Sequence, residues 1–132
     1  MMIPTTIAML VSLALLNVIL SSTTGVTRGL KDVWHGHEDN ARILTLMRAQ
    51  GNLIEYAPLA ILLVLALELQ ARAPAGWIAI AAAAFLLARI VHSVGYIGAG
   101  GGKSWLRFAG AGLTTLSTLA MIALLGYHSW WG

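Results

Sequence analysis

No Asp, Glu, Lys or Arg occurs between Met1 and Thr27, and none between Phe108 and Gly132. Each of these runs alone suffices for one helical crossing of a bilayer, which takes about 20 mainly apolar residues. Two shorter uncharged runs, 56–67 and 73–88, reach spanning length only if Glu55 and Arg89 are accepted inside the membrane. A soluble domain has no use for such segments. Of the 132 residues 58% are hydrophobic and 10% charged, whereas soluble domains carry roughly 25% charged residues and, at this size, leave much of their surface in water. The mean hydropathy of +0.80 likewise excludes a disordered chain. Cysteine is absent, which removes disulfides, a cysteine nucleophile and thiolate metal ligands. The expected fold class is all-α, a transmembrane four-helix bundle.

The pattern predicts helices at about 3–24, 41–71, 75–97 and 105–129, forming a single integral-membrane domain over 1–132. Asp39 and Asn40 are cap candidates for the second helix. At roughly 46 Å that helix exceeds a hydrocarbon core of about 30 Å, so its first turns should project into water with Arg42. Pro58 should bend it or leave the Ile54 carbonyl without a donor. Pro74 and Gly76 mark a tight turn, Gly98–Gly102 a mobile one, and about Gly25 to Asn40 a longer polar connection. Arg28, Lys31, Arg42, Arg48, Lys103 and Arg107 stand on one side of this topology, and Arg72 on the other. The positive-inside rule then puts both chain ends outside and the basic connections in the cytoplasm. The first run lacks a basic n-region and a cleavage pattern and is expected to be a retained span. A net charge of +3 calls for no nucleic-acid partner.

Polar residues inside such helices are costly and usually face the interior or a site. At 100° per residue Arg48, Asn52, Glu55 and Tyr56 fall within about 100° on the second helix. A cation, an amide, a carboxylate and a phenol on one face suit a zwitterionic, peptide-like ligand. The alternative is polar glue between helices, with Glu55 neutralised by an arginine. Arg89, His92, Ser93 and Tyr96 form a second stripe on the third helix. Pairing of Arg89 with Glu55 is the simplest expectation for it. Arg107 opens the fourth helix, where a basic residue commonly anchors orientation.

Other patterns carry less. Gly98–Ser104 resembles a phosphate loop, but the motif needs glycine where Ile97 stands and follows a helix here. His35 and His37 are weak metal ligands at that spacing, and no metal is expected. Gly110 and Gly112 should permit close helix packing, and Asn17 should hydrogen-bond between helices. Glu68 and Arg72 should form an exposed i, i+4 pair. Trp77, Trp105, Trp130 and Trp131 sit where interfacial aromatic belts are found.

The run Arg48-Ala49-Gln50-Gly51-Asn52-Leu53-Ile54-Glu55-Tyr56-Ala57-Pro58, in the second of four spans, resembles the signature of the MAPEG family, the membrane-associated proteins in eicosanoid and glutathione metabolism. Ala88-Arg89 followed by Gly95-Tyr96 is similar to its third-helix pattern. The overall wording resembles the small bacterial branch, which implies a bacterial inner membrane. The resemblance implies a left-handed bundle assembled as a homotrimer, with glutathione as co-substrate between protomers, open to the cytoplasm. Arg48, Gln50, Asn52, Glu55 and Tyr56 match glutathione-binding positions, Tyr96 a further ligand-contacting tyrosine, and Arg28 a basic residue near the end of the first span. Arg89 and His92 complete the expected binding set; several animal members have tyrosine where His92 stands. Arg107 matches the catalytic arginine that stabilises the thiolate, with Lys103 the alternative because the preceding loop differs in length.

That implication is chemically coherent. Glutathione carries two carboxylates and an ammonium, and a thiol of pKa about 8.5 is mostly protonated at neutral pH. An adjacent arginine favours the thiolate. A hydrophobic electrophile or lipid hydroperoxide dissolved in membrane lipid could approach laterally. Two function classes stay open: a glutathione transferase, with peroxidase activity as an extension, and a non-enzymatic bundle of the same fold binding a lipid or a membrane-protein partner. A transporter is disfavoured, since the chain has no inverted repeat.

Overall fold

A computed structural model describes residues 2–131, folded as α1 (Pro4–Leu30), α2 (Ala41–Gln70), α3 (Ala75–Gly98) and α4 (Trp105–Trp130). All four are long and apolar enough to cross a membrane, so the chain is an integral, multi-pass membrane protein. The helix boundaries agree closely with the sequence pattern except at the end of α1, which runs six residues beyond the expected Thr24. The polar tail of that helix stays helical because Thr23, Thr24 and Thr27 donate their hydroxyls to carbonyls one turn back. Serine and threonine can thereby bury their polar groups against their own helix. Arg28 therefore belongs to the last turn of α1 rather than to a loop, where a cation also suits the negative end of the helix dipole.

Asn40 caps α2 as expected, its Oδ1 accepting from the backbone N–H groups of Arg42 and Ile43, both at 3.1 Å. The helix continues through Pro58 and ends at Ala71 in the left-handed conformation. The α3 terminus is a hydrogen-bonded cap rather than a loose glycine run. Gly101 N–H donates to the Tyr96 carbonyl and Gly100 N–H to that of Ile97, the pairing of a Schellman motif, with Gly100 at φ +58°.

α2 and α3 form the centre. α1 packs on one side of this pair and α4 on the other, and the backbones of α1 and α4 do not approach closely among the described residues. The apolar core runs through Met9, Leu13, Leu53, Val64, Phe85 and Met121. With lipid outside, packing rather than hydrophobic exclusion holds such helices together, and small residues permit close approach. The tightest seam is α3 on α4. A Cβ on Gly110 would lie 2.5 Å from the His92 nitrogen, and one on Gly95 would lie 2.5 Å from that of Arg107. Gly112, by contrast, faces open space and takes no part in packing.

At the opposite end of the bundle the expected Glu68–Arg72 pair gives way to links between helices. Glu68 accepts from the backbone N–H groups of Thr5 and Thr6 and from the Thr6 hydroxyl, at 2.9, 2.8 and 2.7 Å. Arg72 donates to the His128 carbonyl of α4. A carboxylate at a helix N-terminus meets orphan donors and a positive dipole end, a stronger attraction than a solvated i, i+4 pair.

Candidate functional site

The glycine seam decides what meets at the other end. Because α4 begins directly against Gly95, Arg107 is brought over Tyr96, its guanidinium carbon 4.6 Å from the ring centroid. Arg107 also donates to the carbonyls of Gly101 and Gly102, at 3.1 and 3.2 Å, so the cap of α3 holds the arginine from behind. His92 stacks on Tyr96, ring centroids 6.0 Å apart and planes inclined by 16°. Across from them stands the polar face of α2.

Between these elements lies a groove of about 350 Å³ lined by Arg48, Asn52, Glu55, His92, Tyr96 and Arg107, with Leu44, Met47 and Gly51 completing its wall. That volume falls in the range of small-molecule sites. Two guanidinium groups and one carboxylate face it, with an amide, an imidazole and a phenol between. Lys103, the alternative cation, lies exposed outside this lining.

The other four expected residues are placed elsewhere. Arg28 and Gln50 line a separate groove between α1 and α2, about 440 Å³ in volume, which shares Met47 and Gly51 with the first. There Gln50 donates to Asn17 Oδ1 at 3.3 Å, the interhelical bond expected of Asn17. Arg28 donates to the carbonyls of Val33 and Trp34, at 3.2 and 2.6 Å, and so fastens the connection after α1.

Arg89 and Tyr56 sit behind the first groove. Arg89 is 1% exposed and does not pair with Glu55; its Nη2 donates to Asn52 Oδ1 at 2.7 Å. Glu55 is exposed on the groove side, so the amide of Asn52 intercepts the arginine first. Since arginine can only donate, this bond fixes Asn52 with its oxygen inward, leaving its NH2 donors for the groove. Tyr56 flanks the same guanidinium, 5.4 Å from ring centroid to guanidinium carbon. Thr114 of α4 lies 3.4 Å from Nη1.

Thr114 was missed from sequence, as was the role of Gly95. The available signal was the i, i+4, i+7 spacing of Gly110, Thr114 and Ser117, which is the face α4 buries. His37, weighed as a metal ligand, accepts the Asp39 N–H at 3.1 Å within its loop.

No curated protein matches the chain in sequence. The sequence model of the MAPEG family, however, matches residues 6–127, which reaches into all four helices and takes in both grooves and the seam between α3 and α4. With four spans and that match over nearly its whole length, the chain belongs to the MAPEG family.

Proposed function

We propose that this protein is a membrane glutathione transferase, which activates glutathione as its thiolate and conjugates it to hydrophobic electrophiles, with reduction of lipid hydroperoxides as a related activity. The observation that carries this is the convergence of Arg48, Asn52, Glu55, His92, Tyr96 and Arg107 on one groove. Its charges complement those of the tripeptide. Arg48 would hold a carboxylate, Glu55 the ammonium group, and the Asn52 NH2 a carbonyl or carboxylate oxygen. Arg107 is the cation assigned to the sulfur. A positive charge beside a thiol lowers its pKa, so the thiolate fraction at neutral pH rises above that of free glutathione. The electrophile would come from the bilayer, which concentrates apolar molecules beside the groove, and fixed reactant geometry would supply much of the rate.

The split of the expected residues between two faces of α2 supports a site shared between copies. Within one protomer Arg28 and Gln50 line the α1–α2 groove and not the first. In a homotrimer, the first groove of one copy would meet the α1–α2 groove of the next. The proposed location is an inner membrane with the site toward the cytoplasm.

Titration of the detergent-purified protein with glutathione, followed by thiolate absorbance across pH, tests the first step. The expected result is a bound thiol that ionises below about 8.5, the value of a free thiol. Addition of a small aromatic electrophile should then give conjugate. Absence of both binding and conjugation across pH and lipid conditions would favour the non-enzymatic bundle.

A further inference from the structure

A further, much smaller cavity adjoins Asn52. It measures about 70 Å³ and is lined by Asn52, Tyr56, Arg89, His92, Ala111, Thr114 and Thr115. It is too small for a peptide, yet well above the roughly 10–15 Å³ needed to hold one water. Its most unusual neighbour is Arg89. A guanidinium keeps its charge at any physiological pH and presents five donors. Arg89 is 1% exposed, and its hydrogen-bonding partners among the described residues are the neutral Asn52 and Thr114, the latter at a long 3.4 Å. Its Nε has no partner. Nor does Nδ1 of His92, a side chain 7% exposed that lines the same cavity.

Buried charges are ordinarily paired, because removal of an ion from water carries a cost that neutral hydrogen bonds recover only in part. Here the nearby carboxylate, Glu55, lines the groove and acts on Arg89 through its charge without a hydrogen bond or ion pair to it among the described residues. One buried positive charge, two unpartnered nitrogens and an adjacent polar cavity without a carboxylate together define a ligand. It is small, it carries a single negative charge, and it accepts hydrogen bonds.

We infer that the cavity bounded by Arg89, His92 and Thr114 is a binding site for a small inorganic monoanion of halide size. The anion supplies the contacting counter-charge that Arg89 lacks, with His92 donating from Nδ1. Water would fill the space without neutralising the arginine. The site is separate from the glutathione groove but shares Asn52 and His92 with it, so its occupancy sets the charge felt through that wall. It does not require the protein to be an enzyme.

The test uses the full-length, detergent-purified protein and bromide as the probe, against gluconate at constant ionic strength. The wild-type protein should show a saturable rise in unfolding temperature with bromide, as expected for a ligand of the native state. Ala111→Leu, which enlarges a lining side chain on α4 and leaves the arginine in place, should lose that response, and Arg89→Met should lose it too. Lys103→Gln, an exposed cation away from the cavity, should keep it. Should Arg89→Met fail to fold, Ala111→Leu decides the matter. Anomalous scattering from bromide-grown crystals should show a peak between Arg89 and His92. The same non-saturating response in the wild type, Ala111→Leu and Lys103→Gln, or a map with only water density in the cavity, would overturn the assignment.

Discussion

Two ionisable side chains inside this bundle, Glu68 and Arg89, are treated oppositely by the fold. The carboxylate of Glu68 receives three hydrogen bonds of 2.7–2.9 Å from the first turn of α1, and the positive end of that helix compensates its charge. Arg89 donates one good bond, to Asn52, and one long one, to Thr114, and makes no ion pair among the described residues, Glu55 acting on it only at a distance. A charge that folding satisfies completely joins helices together. A charge left partly open biases whatever enters beside it. The bundle thus has an architectural end, closed by Glu68 and the Gln70–Ser129 contacts, and a chemical end, where polar groups face cavities.

Substitution of the cation assigned to the sulfur is the severest test of the chemical end. Arg107→Ala should lower kcat by about 10²-fold or more, the scale of losing one preorganised group that stabilises a reacting anion. Glutathione affinity should change much less, because Arg48, Asn52 and Glu55 still line the groove. Single-turnover kinetics together with equilibrium titration separate the two effects. Equal losses in both would mean that Arg107 binds glutathione and does not act on its sulfur.

Gly110→Val would remove the distinction between the ends. Its Cβ would stand 2.5 Å from the His92 nitrogen and 2.7 Å from the His92 Cα, so backbone and not a flexible side chain must move. Overpacking of this kind costs about 1–3 kcal/mol. Separation of α4 from α3 also pulls Arg107 away from His92. Thermal unfolding and glutathione titration should therefore deteriorate together, whereas Gly112→Val, facing open space, should alter neither strongly.

Arg48→Ala sharpens the comparison from the other side. It should weaken glutathione binding by about tenfold, on the scale of one charge-assisted hydrogen bond. Its effect on unfolding should be small, since the side chain is exposed and contributes to no core. Isothermal titration and thermal unfolding on the same preparation check both halves.

Much of this was legible in the residues, for physical reasons that differ between elements. The four spans follow from where charge is absent, because a bilayer penalises charge far more strictly than a soluble surface does. The polar stripe of α2 follows from helical periodicity, and three of its four members do line one groove. What periodicity could not supply was the partner of each charge. Glu68 found the start of α1, sixty-two residues away in sequence at Thr6, and Arg89 found an amide in place of the nearby carboxylate. Such choices depend on how far helices approach, which is set by Gly95 and Gly110 across a seam that no single helix encodes. The division of Gln50 from Asn52, by contrast, follows from periodicity alone. Two residues apart on a helix they point some 200° apart, which puts them on different grooves.

The gentlest substitution bears on the architectural end alone. Glu68→Gln keeps one oxygen of the carboxylate, enough to go on accepting from both the N–H and the hydroxyl of Thr6. It replaces the other with a donor facing the Thr5 N–H and removes the negative charge from the start of α1. Loss of one cap interaction and of the charge–dipole attraction together should cost about 1–2 kcal/mol. The unfolding temperature should fall accordingly, and glutathione affinity should stay unchanged, because Glu68 lines neither groove. A shift in glutathione affinity would mean that the two ends are coupled through α2, and that the tether of α1 to Glu68 helps to set the position of the polar face one spans-length away.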